Sequence, residues 1–172
     1  ELDPASASAH FELAEALLLT GQFKEGWEEY EWRFDLPSAP PLLPPHDKVL
    51  WDGKPMPNGT LMLIGDQGFG DTIQFCRYIP MAAERCPRIL MAASKEMQPI
   101  VMQQKGITEY YDRWEQMPAF DAYCSLSGLP KRFGTDLNNI PAPVPYVKAD
   151  PAKAEHWRKK LDALTPPGYR RM

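Results

Sequence analysis

The 172-residue chain has very little of what metal centres and disulfide frameworks are built from: three cysteines and three histidines. Cys76, Cys86 and Cys124 keep no metal-ligand spacing, and their odd number argues against a disulfide framework. They read instead as small buried hydrophobes in a reducing compartment. His10, His46 and His156 lie in unrelated contexts and suggest neither a metal site nor a triad. An excess of positive charge is also missing. Nineteen Lys and Arg stand against 23 Asp and Glu, a net charge of −4, which leaves no basic face for nucleic acid. No apolar run nears the ~20 residues that cross a bilayer, so the chain is not expected to be integral to a membrane. Its first residues, Glu1-Leu2-Asp3-Pro4, have no initiator Met, basic stretch or apolar core, so no signal peptide is expected. Together these absences predict a cytoplasmic globular protein.

Proline is what the chain has in excess. There are 19, about twice the usual ~5%, and they cluster at 37–45, 55–57, 141–145 and 166–167. The clusters divide the chain into a helical segment over 1–36, a proline-rich linker over 37–58, an α/β unit over 59–149 and a last helix over 150–172. Residues 37–45 cannot form regular structure and should run as an extended, semi-rigid belt.

Residues 7–34 carry a helix-turn-helix pattern. Leu13, Ala14, Leu17 and Leu18 share one face, Gly21 ends the first helix, and Phe23, Trp27 and Tyr30 recur at helical spacing. In the register of a repeat of about 34 residues counted from Ala7, the apolar and small positions are filled by Leu13, Ala14, Gly21, Phe23, Gly26 and Tyr30. This resembles the tetratricopeptide repeat. His10 stands where that pattern favours Trp, and Arg33 where it favours Ala. A single repeat cannot bury both of its faces, so it should belong to an array or pack on the next domain. Glu25, Glu28, Glu29 and Glu31 read as a solvated face, and Trp27, Tyr30, Trp32 and Phe34 as interface core.

Beyond the turns at 51–53 and 57–59, strands are expected at 60–64, 88–92, 107–111 and 120–124. The intervening helices fall at about 72–85, kinked near Pro80, and at 95–104. That alternation predicts an α/β fold with a Rossmann-like, doubly wound parallel sheet and helices on both faces. Residues 141–147 would make an edge strand at most. Asp150-Pro151 caps a final helix that Thr165-Pro-Pro-Gly stops.

The densest signal is the segment from Leu61 to Tyr78. Four apolar residues end in Gly65-Asp66-Gln67-Gly68-Phe69-Gly70-Asp71-Thr72, followed by Ile73-Gln74. It reads as a buried strand, a glycine-rich turn and a helix start. Gly65, Gly68 and Gly70 would take positive φ and let a ligand approach the backbone. Asp66, Gln67, Gly68, Gly70, Thr72 and Gln74 would form a ligand-binding loop at the carboxyl edge of the sheet. Asp71 has two readings. It can be a helix N-cap with Gln74 completing a capping box, or a carboxylate that accepts a proton from a ligand hydroxyl. A dinucleotide fingerprint needs a third glycine at position 73, which is Ile73. The first motif of Rossmann-like methyltransferases is also similar, but the second strand ends in Ala92-Ala93-Ser94-Lys95, without the acidic residue that would hold a ribose.

A wider resemblance runs through most of the chain. Glu25-Gly26-Trp27-Glu28-Glu29-Tyr30-Glu31-Trp32-Arg33, the proline belt, Trp51-Asp52-Gly53, the run from Asp66 to Tyr78, and Ile140-Pro-Ala-Pro-Val-Pro-Tyr146 follow in that order. In combination they resemble bacterial tetratricopeptide proteins fused to a glycosyltransferase-like domain, related to the heptosyltransferases and the wider GT-B group. The resemblance implies the N-terminal, acceptor-side lobe of a two-lobed enzyme, with most contacts to a nucleotide-sugar donor made by a second lobe. It implies Asp71 as catalytic base, a sugar or protein acceptor, a possible protein partner on the repeat, no metal and no cofactor. A non-catalytic interaction module and a methyltransferase are the alternative readings.

Overall fold

The computed structural model describes residues 4–39, 41–42 and 47–165. Helices α1 (Ala7–Leu19) and α2 (Phe23–Glu29) form a hairpin, with Gly21 at φ +80° in the turn between them. Ser6 caps α1 by accepting from the Ala9 N–H. The two helices meet closely at Ala14 and Gly26, both buried. A Cβ on Gly26 would stand 2.8 Å from Leu18 Cδ2, so only the smallest residue admits this approach. A 3-10 helix, Tyr30–Asp35, leads out of the hairpin. Of the proline belt, residues 37–39 and 41–42 are described. Ala39 donates to the Leu36 carbonyl at 2.9 Å, so the belt opens with a turn rather than extended; Pro40 and residues 43–46 lie outside the described residues.

The rest is an α/β unit. Strands β1 (Val49–Leu50), β2 (Thr60–Ile64), β3 (Arg88–Ala92), β4 (Ile107–Tyr111) and β5 (Ala122–Ser125) form one sheet in the order β1-β5-β2-β3-β4. Every pairing is parallel. The fold is α/β and Rossmann-like, as its strand-helix alternation predicts. Winding reverses once: β2, β3 and β4 step to one side, and the chain then returns to place β5 on the other side of β2. The sheet is therefore doubly wound.

Alternation along the strands sorts the core into two layers. Leu61, Leu63, Ile89, Met91, Ala122 and Cys124 point to one face, beneath α3 (Phe69–Phe75), α4 (Ile79–Arg85), α5 (Gln98–Val101) and α6 (Leu129–Arg132). Met62, Ile64, Leu90 and Ala92 point to the other. There the cover differs from expectation. It is not a layer of α-helices but the returning segment between β4 and β5, through Met117 and Phe120, joined by Leu42 of the belt. That return has ten residues and room for one 3-10 turn, Trp114–Gln116.

Other departures have local causes. The first helix of the unit begins at Phe69 rather than near 72, because Gly68 serves as its N-cap. Its break falls at the 3-10 turn Cys76–Tyr78, just ahead of Pro80, which sits in the first turn of α4. There its missing N–H costs nothing. The helix expected over 95–104 is a 3-10 turn, Lys95–Met97, followed by α5, with Pro99 in the first turn of α5. β5 starts two residues after the expected strand, and residues 141–147 pair with no strand among the described residues. The last helix, α7 (Pro151–Leu164), is capped by Asp150, whose side chain accepts from the Lys153 N–H at 2.9 Å. Pro166, Pro167 and Gly168, the expected stop, lie outside the described residues.

The three cysteines are free and buried. Burial pushes the Cys76 thiol up to about 11 and the Cys124 thiol up to about 12, so neither is a thiolate nucleophile at neutral pH. No helix among the described residues is long and apolar enough to cross a membrane.

Candidate functional site

The reversal of winding lies between β2 and β5, and open α/β sheets bind ligands outside the carboxyl ends of strands at such a point. Two segments leave the sheet there: Gly65-Asp66-Gln67-Gly68 after β2, and the 3-10 turn Leu126–Gly128 after β5. The crevice between them is filled. Asp66 Oδ1 accepts from the Ser127 backbone N–H at 3.1 Å, and Oδ2 accepts from the Ser127 hydroxyl. Arg33, from the 3-10 helix that follows the hairpin, lies over both. Its Nη2 donates to Ser125 Oγ at 2.9 Å, and its Nε stands 3.6 Å from Asp66 Oδ2.

Arg33 is 2% exposed, a cost that a guanidinium meets only with many partners. Nη1 donates to the Tyr30 carbonyl at 2.7 Å and to Glu31 Oε1 at 3.1 Å. The rings of Tyr30 and Phe34 enclose the guanidinium at 4.3 and 3.9 Å. Glu31 in turn accepts from Arg132 Nη2 at 2.6 Å, and Arg132 Nε donates to the Trp51 carbonyl at 2.6 Å. A continuous polar chain therefore runs from Trp51 through Arg132, Glu31 and Arg33 to Asp66 and Ser127. Glu31 belongs to it and is not part of a solvated face. Glu28 pairs with Lys131 at 2.6 Å and Glu29 with His10, so that face is tied down at three points.

The loop residues divide accordingly. Asp66 is engaged on both oxygens and covered by the hairpin's extension. Of the two roles its sequence leaves open, ligand contact and loop-stabilising hydrogen bonds, these contacts are the second, bracing β2 against β5. Thr72 is buried. Gln67, Gly68, Phe69, Gly70 and Gln74 are exposed, and Asp71 is half-buried. The left-handed residue of the turn is not a glycine: Gln67 takes φ +61°, whereas Gly65, Gly68 and Gly70 are absent from the positive-φ positions. Gly65 is required for a different reason, since a Cβ there would meet Ala93 Cβ at 2.8 Å. Around Gly70 nothing lies within 4 Å of where a Cβ would sit, so the helix start is open to a ligand. A non-glycine residue in the left-handed region beside an open helix start is a feature that functional loops concentrate.

Asp71 is the third residue of α3, not its N-cap. Its Oδ2 accepts from the Gly68 N–H at 3.1 Å, the half of a capping box that runs back to the N-cap backbone. Gln74 takes no part in that cap. With one oxygen so engaged, Asp71 Oδ1 remains for other chemistry. Among the described residues no group of three or more His, Cys, Asp or Glu could hold a metal ion.

Two residues of this region were not among the site residues expected from sequence. Phe69 is 56% exposed at the helix start, an aromatic face offered between two glycines. Its signal was present, because an apolar residue inside a glycine loop has no packing partner in the loop itself. Arg33 had a fainter one: a charged residue where the repeat pattern favours Ala.

No protein-family model matches the chain, and no solved structure matches it. Protein FlbA of Caulobacter vibrioides is 25% identical over 183 residues, an alignment that covers 93% of this chain and 30% of FlbA. The chain thus spans under a third of the length of that curated relative.

Proposed function

We propose that this chain is the acceptor-side lobe of a GT-B-type glycosyltransferase carrying a tetratricopeptide-type hairpin at its N-terminal end. The observation that supports the reading most is the half-exposed Asp71 carboxylate beside the open backbone at Gly70, at the carboxyl edge of a Rossmann-like sheet. In this reading an acceptor hydroxyl lies against Asp71, which takes its proton as the oxygen attacks the anomeric carbon of the donor sugar. A second lobe supplies the contacts to the nucleoside diphosphate that leaves. The protein is cytoplasmic, and its partners are a nucleotide-sugar donor, a sugar or protein acceptor, and a protein held by the hairpin.

A single lobe lacks half of the transition-state contacts, so the 172-residue chain alone is expected to be catalytically silent. Calorimetry with common nucleoside-diphosphate sugars should show no binding tighter than roughly millimolar. In a full-length, active protein Asp71→Asn should lower turnover by about 10²-fold or more. Its amide oxygen still accepts from Gly68, so the helix start is kept. Near-normal turnover would reduce Asp71 to a helix-capping residue, and micromolar donor binding by the chain alone would overturn the division between lobes.

The second reading, a non-catalytic interaction module, draws on the filled crevice at the winding reversal. Arg33 occupies the place where a ligand of an open α/β sheet commonly sits. A methyltransferase gains no support, because no carboxylate stands at the end of β3.

A further inference from the structure

A second opening lies on the other side of Asp66. It is a cleft of about 480 Å³ between α1, the 3-10 helix after the hairpin, the start of the belt and the carboxyl end of β2. It touches Gly65, Asp66 and Gln67 but no loop residue from Gly68 onward, so it is separate from the surface around Asp71. Phe11, Phe34 and Trp114 supply aromatic walls from three different segments, and Arg33, Ser38, Asp66 and Gln67 are the polar residues of the lining. Within this lining, Arg33 Nε is buried and has no hydrogen-bond partner. The charged group that Nε faces among the described residues, Asp66 Oδ2 at 3.6 Å, is beyond hydrogen-bond distance. A buried donor without an acceptor is an exception that asks for a ligand or a water.

We propose that this cleft binds a neutral hydroxylated ring, a single pyranose unit of the acceptor. Among the described lining residues one cation, Arg33, and one anion, Asp66, cancel, so a phosphate or carboxylate would meet Asp66 and an ammonium group would meet Arg33. Aromatic walls suit the C–H faces of a sugar ring. Several polar residues in the lining suit a ligand with several hydroxyls, where a phenol offers one. The hairpin is then part of the acceptor site and not only a recruitment surface. This deepens the acceptor reading and rests on it for the choice of a sugar.

The test is a titration of the uniformly ¹⁵N-labelled 172-residue chain, read at its backbone amides and tryptophan indoles, against methyl glucoside, methyl mannoside and N-acetylglucosamine. p-Cresol and inorganic phosphate serve as comparison ligands. At least one sugar should shift the Trp114 indole N–H saturably with a Kd of roughly millimolar. Trp114→Ala should weaken that binding about tenfold or more by calorimetry; this side chain is 37% exposed, so the fold tolerates its loss. Trp157→Ala should leave binding unchanged. The proposal is overturned by the absence of any saturable shift up to about 100 mM sugar. It is equally overturned by preference for p-cresol or phosphate, or by shifts centred on residues 69–74. Sugar binding at the cleft in a full-length protein without turnover would sink the transferase and keep the cleft. Full turnover in Trp114→Ala would do the reverse.

Discussion

At the residue scale, Arg33 decides how the hairpin and the sheet are joined. Its guanidinium fills the crevice between β2 and β5, donating to Ser125 and standing 3.6 Å from Asp66. A buried ion pair adds little net stability, but removing one partner leaves the other uncompensated. Arg33→Met keeps most of the side-chain volume and removes the charge. It is expected to cost about 3 kcal/mol of unfolding free energy, the scale for breaking a buried pair. Combined with Asp66→Asn, which retains an acceptor for Ser127, the loss should be smaller than the sum of the two single losses. Urea denaturation of the four proteins would measure the coupling. Additive losses would mean that the 3.6 Å approach of Nε to Oδ2 carries no energy.

At the scale of elements, what could be read from sequence follows from how local each signal is. β2 and β3 announce themselves because Leu61–Ile64 and Ile89–Ala92 are apolar on both faces, and both layers of the core exist to receive them. The two-residue β1 has no periodicity to read. The start of α3 was misplaced because Asp71 looks like an N-cap, while Gly68 carries that role through its backbone alone. Repeat patterning predicted the hairpin, and His10, the departure from it, turns out to be a tie. Its ring stacks on Trp32 at 4.1 Å, Nε2 stands 2.9 Å from the Pro4 carbonyl, and Nδ1 meets Glu29. Both ring nitrogens face acceptors, so the imidazolium satisfies both and neutral imidazole only one. The bond to Pro4 and then that to Glu29 raise its pKa above 6.5, against a smaller opposing effect of burial. A raised folded-state pKa means stabilisation that is full below pH 6.5 and lost as pH climbs through the folded value. An NMR titration should find His10 titrating above 6.5 and the protection factors of the α1 amides, corrected for base-catalysed intrinsic exchange, falling on the alkaline side. A His10 pKa at or below 6.5 would refute the tie.

At the scale of the whole molecule, the polar chain from Trp51 to Ser127 and the apolar contact of Trp27 with Phe75 belong to one junction. Trp27 meets Phe75 edge-on at 6.2 Å, and its indole N–H donates to the Thr135 carbonyl at 3.1 Å. Sequence marks Trp27 as interface core but not what it meets, since the partners lie up to 108 positions apart and no local pattern links them. Hairpin and sheet therefore share a core and should open together. α7 is the opposite case. It buries no residue, and Trp157, Leu161 and Leu164 remain exposed along one side. A helix of 14 residues without a buried face is marginal in water, where even alanine-rich helices shorter than about 12–15 residues are. Hydrogen exchange should then resolve two classes. Amides of α1, α2, β2 and β3 should exchange with similar, high protection set by global unfolding, and those of α7 with almost none. Because the hairpin alone has no second face to bury, a hairpin that exchanged as fast as α7 would mean the junction is not cooperative. The cleft between hairpin and sheet would then lack the rigid walls a ligand needs. Strong protection in α7 would show that its apolar side is covered in solution.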